Sequence, residues 1–238
     1  MAEDVGSARS LRLSPDGAAL VFLHNSIEDP HNSIASVGRI DLSTKTCKSV
    51  TTAYVEALPS NCWIQSSHIV YSSSVTGRQV RDGGNRKYSN PAIMQLVTVL
   101  DVLSGSSSYY DKTAADLHAW TVLDVSGKSI LVSASSPSTP HTLVVLRLDT
   151  QDWIWSERVV QTPHKALPIQ FSTIASHTIG ANSAGAFLIY PSDSSSDLPL
   201  IVMPHGGPHS TSTLEFSYYA AAFALHGYAT LLGASCIH

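Results

Sequence analysis

Leu198-Pro199-Leu200-Ile201-Val202-Met203-Pro204-His205-Gly206-Gly207-Pro208-His209 is an apolar run, broken only by Pro199, that ends in a glycine turn. A nearly continuous apolar run of this length is the pattern of a strand buried on both faces. Paired glycines let the chain turn tightly and leave backbone N–H groups unshielded by side chains. Downstream, Thr213 to His226 place Leu214, Phe216, Tyr219, Ala222, Phe223 and Leu225 roughly on one helical face, and Gly227 is a natural stop. Tyr228–Leu232 reads as a second apolar strand. Upstream, Phe187-Leu188-Ile189-Tyr190 closes at Pro191, and the polar spacer Ser192–Asp197 follows. Strand, glycine turn, helix and strand make a βαβ unit, which builds parallel sheets.

The turn carries the most chemistry in the chain. Unshielded N–H groups at the end of a buried strand can stabilise an oxyanion during acyl transfer, as HGGG-type loops do. An ordinary strand-ending glycine turn would need neither His205, Pro208 and His209 nor the preceding Val-Met-Pro. Histidine pairs invite a metal reading, at His24 with His31 and at His205 with His209. Pro208 and the two glycines forbid a helix between the second pair, so its spacing is no zinc site. Neither G-x-x-x-x-G-K-[ST] nor G-x-G-x-x-G occurs, so no phosphate cradle is expected. No metal and no cofactor are expected.

Up to about Lys165 the pattern is different. Leu20-Val21-Phe22-Leu23, Ile69-Val70-Tyr71 and Ile130-Leu131-Val132 are compact β-type runs. Each follows a polar turn, at Ser14-Pro15-Asp16-Gly17, Gln65-Ser66-Ser67-His68 and Asp124–Lys128. Further strand-like segments follow at Val37–Leu42, Met94–Val102 and Thr142–Asp149. The runs start 49 and then 61 residues apart. A four-stranded propeller blade takes about 40–50 residues, so the longer step needs an insertion. The polar, glycine-rich Gly77–Pro91 supplies it, as an expected disordered or mobile loop. This spacing also suits a β-sandwich. The Ser-Pro-Asp-Gly tetrad is a turn first: Pro presets φ, Asp bonds its own backbone and Gly accepts positive φ.

Composition excludes several classes. The chain has 238 residues, 43% hydrophobic and 13% charged, with a net charge of −4. There is no basic footprint, so no nucleic-acid partner is expected. No apolar stretch reaches the roughly 18–20 residues that span a bilayer, so no membrane association is expected. The acidic start Met1–Gly6 lacks signal-peptide character. Cys47, Cys62 and Cys236 have no paired spacing, which argues against a disulfide framework and for a reducing, cytoplasmic compartment.

Leu200 to Ser210 resembles the acylaminoacyl-peptidases of the prolyl oligopeptidase family, and the likeness extends upstream. Ser10–Leu23 and Arg39–Val50 resemble family blades, and Leu58-Pro59-Ser60-Asn61-Cys62-Trp63 is similar to a late propeller segment. Ile154 to Gln161 matches the exit from the propeller. The resemblance implies a partial β-propeller of about three blades at residues 1–165. The first βαβ part of an α/β-hydrolase domain follows at 166–238. It implies a serine peptidase that releases N-acylated amino acids from blocked short peptides, with a homo-oligomer as a possible assembly. His205, Gly206 and Gly207 match the oxyanion-side loop. The Ser-Asp-His triad does not transfer, because no Gly-x-Ser-x-Gly occurs and Ser235 lacks the second glycine. The chain is therefore expected to read as a fragment and to be inactive alone. Two alternatives stay open: a truncated, non-catalytic isoform that partners a full-length subunit, and a dipeptidyl- or oligopeptidase branch of the same family.

Overall fold

The computed structural model describes residues 7–25, 35–55, 57–76, 79–82, 85–88, 93–110, 117–149, 154–160, 165–179, 182–194, 197–204 and 212–234. Strands β1 (Ser7–Leu13), β2 (Ala19–Asn25), β3 (Ala35–Asp41) and β4 (Thr46–Val55) form a first antiparallel meander in chain order. β5 (Trp63–Gln65) and β6 (His68–Thr76) begin a second. A separate hairpin, β7 (Gln79–Asp82) and β8 (Asn85–Tyr88), precedes β9 (Ile93–Asp101) and β10 (Ser107–Tyr109), which complete it. The third meander is β11 (Ala119–Ser126), β12 (Ser129–Ser136), β13 (Thr139–Asp149) and β14 (Ile154–Val159). A single parallel pairing, Ala119 with Gln95, joins the second and third into an eight-stranded sheet.

The middle meander explains why its apolar runs do not alternate. From β6, Ile69 and Tyr71 enter a core shared with Val21, Leu23 and Val37 of the first meander. Val70 points the other way, into a core shared with Trp120, Ile130, Val132 and Leu146 of the third. With a meander against each face, every position of Ile69-Val70-Tyr71 is buried. Period-two patterning is lost for that reason. The three compact runs all belong to second strands, β2, β6 and β12, which have a paired neighbour on each side. The first strand of each meander is less apolar and is not conspicuous in the sequence.

Ser14-Pro15-Asp16-Gly17 is a turn, placed between the first and second strands. Gly17 N–H donates to Ser14 O at 2.9 Å, and Gly17 has φ +71°. The Asp16 carboxylate accepts from Ser14 Oγ at 2.6 Å and from Ala18 N at 3.0 Å.

Three expectations are corrected. Gly77–Pro91 is not a loop throughout: β7 and β8 pair from Gln79 with Tyr88 to Asp82 with Asn85. The second correction concerns the strand before the glycine turn. β15 (Ile169–Ile179), β16 (Asn182–Pro191), β17 (Leu200–Met203) and β18 (Ala229–Ala234) form a sheet in the order β15-β16-β18-β17. β17 is its edge, with Leu200 54% and Val202 60% exposed, not a strand buried on both faces. Among the described residues it pairs with β18 alone, and helix α1 (Tyr218–Leu225) packs on the β15 and β16 side of the sheet through Ile169, Phe187 and Ile189. The helix is also shorter than the apolar spacing from Thr213 suggests. Leu214 and Phe216 precede it, and both are buried against Ile189, Phe187 and Ala220.

Candidate functional site

β17 and β18 run parallel, with Ile201 opposite Thr230 and Met203 opposite Leu232. Their carboxyl ends therefore emerge on the same side of the sheet, the side where open α/β sheets bind ligands. Met203 leads into an exposed Pro204, and the chain is next described at Ser212, Thr213 and the buried Leu214. His205, Gly206 and Gly207 lie outside the described residues, as does Ser235. The described elements on either side are β17 and α1. Ser217 caps α1, its hydroxyl accepting from Ala220 N at 3.3 Å. Gly227, with φ +83°, follows the helix and turns the chain toward β18.

The third meander supports this region from below. Phe216 N–H donates to Ser135 Oγ at 3.2 Å in a buried contact, and Leu167 N–H donates to Ser138 O at 2.8 Å. His141 packs edge-on against Phe216, with ring centres 6.3 Å apart, and lies beside Tyr218. Ser133 Oγ lies 3.2 Å from His141 Nδ1, which fixes the imidazole against these rings. His118 makes a similar edge contact with Phe171 at 5.2 Å. Sequence reading placed Phe216 on a helical face and gave Ser133, Ser135, Ser138, His118 and His141 no role. Ser133, Ser135, Ser138 and His141 fall in a serine-rich stretch with no periodic signal, and their partners lie far along the chain.

The titratable groups point to structural work. Burial pushes the Cys62 thiol up to about 12, partly offset by the Arg12 charge, so it stays protonated and acts as a small packing group. Burial, then the bond to Glu157, raises the Tyr110 phenol; that bond is 2.6 Å long. Among the described residues no group of His, Cys, Asp and Glu could hold a metal ion, and no helix is long and apolar enough to cross a membrane.

No family model matches the chain. Acylamino-acid-releasing enzyme from Homo sapiens is 24% identical over 98% of this chain, and so is that of Sus scrofa. The chain is a relative of the acylamino-acid-releasing enzymes. It spans about a third, 33%, of the length of these relatives. Arabidopsis thaliana has a similar protein of the same description, 27% identical over 75% of this chain. Among solved structures, a Mycobacterium tuberculosis puromycin-hydrolyzing peptidase has a TM-score of 0.53 at 12% identity, covering 95% of this chain and 41% of its own. Leishmania major oligopeptidase B gives 0.51 at 13% identity, over 96% of this chain and 38% of its own. Neighbours of this kind are prolyl oligopeptidase family peptidases, and the fold shared with them is β-rich and propeller-like.

Proposed function

We propose that this chain carries the oxyanion side of a serine peptidase site that releases N-acylated amino acids from short blocked peptides. The observation that carries the reading is the parallel pairing of β17 with β18, whose carboxyl ends lie side by side, together with the sequence Pro204-His205-Gly206-Gly207 that follows Met203 in the chain. In such a site a serine attacks the peptide carbonyl, histidine moves the proton, and backbone N–H groups of the glycine turn hold the developing oxyanion. The three meanders, read as propeller blades over residues 1–165, restrict access to short peptides. Residues 166–238 are the first βαβ part of an α/β-hydrolase domain. Among the described residues their sheet has no strand paired to the meanders, which supports this division.

The 238 residues contain no Gly-x-Ser-x-Gly, the elbow that would present the nucleophile, so the chain alone has no covalent route. The pure chain is predicted to leave an acetyl-alanine anilide intact and to resist fluorophosphonate labelling. Turnover together with labelling would overturn that. A second reading, a non-catalytic partner of a full-length subunit, is favoured by the open edge of β17 with its exposed Leu200 and Val202. A dipeptidyl- or oligopeptidase branch remains the third, distinguished by which blocked or free peptides a full-length enzyme accepts.

A further inference from the structure

A cavity of about 440 Å³ lies between β1 and the segment that enters β5, well away from the glycine turn. Consecutive residues Leu11, Arg12 and Leu13 all line it. Neighbouring side chains of a strand point to opposite faces, so the cavity follows the edge of β1 and not one of its surfaces. Leu11 and Leu13 are 54% and 57% exposed, and with Pro15 and the Trp63 ring they give it apolar walls. The indole nitrogen of Trp63 is itself shut off from solvent, so the ring contributes carbon surface.

Its charge is positive and fixed in place. Arg12 donates from Nε to Pro59 O at 2.6 Å, from Nη2 to Leu58 O at 2.8 Å and from Nη1 to Leu11 O at 2.9 Å. A guanidinium has five N–H donors, so each terminal nitrogen keeps one to offer. The ion pairs among the described residues join Arg39 to Asp41 and Lys128 to Asp149, and none uses Arg12. Main-chain carbonyls hold the cation without neutralising it. Ser60 and Asn61 complete the lining, and the Asn61 amide is oriented by donating to Asp124 at 3.0 Å.

We propose that this cavity binds a carboxylate carried on an apolar body, the chemistry shared by the C-terminal end of a short peptide and a free N-acyl amino acid. The guanidinium takes the carboxylate, and Leu11, Leu13, Pro15 and the Trp63 ring take the apolar part. The proposal stands on this cavity alone and does not depend on the peptidase reading.

Calorimetric titration of the full chain with acetyl-leucine, acetyl-alanyl-alanyl-leucine and acetyl-leucine amide tests it. At least one acid is expected to bind, and the amide about tenfold more weakly or not at all. Binding of the tripeptide acid alone identifies a peptide end as the source; equal binding of acetyl-leucine identifies the free amino acid. Leu13→Glu, at an exposed position, is expected to weaken acid binding about tenfold more than Leu13→Lys, since both lose the same apolar contact and only the first adds a repelling charge. An amide that binds as tightly as the acid, identical behaviour of the two variants, or no binding of either acid would overturn the proposal.

Discussion

Asp41 ends β3, Asp101 ends β9 and Asp149 ends β13, so each meander closes its third strand on an aspartate. At the first two positions the carboxylate caps the following turn. Asp41 accepts from Ser43 Oγ at 2.6 Å and from the N–H groups of Ser43 and Thr44. Asp101 accepts from Leu103 N at 2.9 Å and Ser104 Oγ at 2.7 Å. Four residues after each aspartate stands a residue with positive φ, Lys45 at 56° and Gly105 at 77°. The Ser43 hydroxyl and then Thr44 N–H hold the Asp41 carboxyl well below its ordinary range. Burial opposes ionisation of Asp101, but its bonds from Ser104 and Leu103 outweigh that and lower its pKa too. A folded-state pKa below the unfolded value of about 4 gives stability that is present above pH 4 and lost as pH falls through the folded values. Denaturant titrations from pH 7 to 2 are expected to show stability falling below about pH 4, with a shallower fall in Asp41→Asn. Equal acid slopes in the two proteins would contradict this account. The aspartates are plain in the sequence, but the apolar runs carry the stronger pattern and only the strand ends mark Asp41, Asp101 and Asp149 as a repeat.

Strand pairing accounts for much of what the elements add. Gly38 on β3 stands directly opposite Phe22 on β2. A Cβ at Gly38 would meet three Phe22 ring atoms at 2.5, 2.8 and 2.9 Å, so the glycine is there to admit the ring. Gly38→Ala is expected to destabilise the protein by about 1–3 kcal/mol, measured by urea unfolding. Adding Phe22→Leu should return part of that loss, through a coupling that strictly additive effects would lack. Nothing in a single sequence marks this pair, since strand register decides it. The same limit explains β17. Leu200-Ile201-Val202-Met203 reads correctly as a strand because its apolar run is continuous, but which faces are covered depends on the sheet order β15-β16-β18-β17. The helix was legible in its stop at Gly227 and less so at its start. Leu214 and Phe216 fit a helical face by spacing, yet Ser217 caps the chain just after them.

At the scale of the molecule, stacked meanders and a separate sheet with a parallel β17–β18 pair follow the change of pattern seen near Lys165. Short β runs behind polar turns made the first part readable. The strand, glycine turn, helix and strand made the second readable. The junction between them was not legible, because it rests on contacts such as Phe216 with Ser135 and His118 with Phe171 across long sequence separations. The candidate site was legible as residue types at the end of one strand. The central claim, that His205-Gly206-Gly207 serves as an oxyanion-side loop, is tested most directly in a chimera. Residues 198–234 of this chain would replace the matching segment of the human acylamino-acid-releasing enzyme, and hydrolysis of an acetyl-alanine anilide would be followed. The account predicts an active chimera whose kcat falls about 10²–10³-fold on Gly206→Val or Gly207→Val, with a smaller change in KM. A folded chimera without activity, or one indifferent to both glycine substitutions, would contradict it.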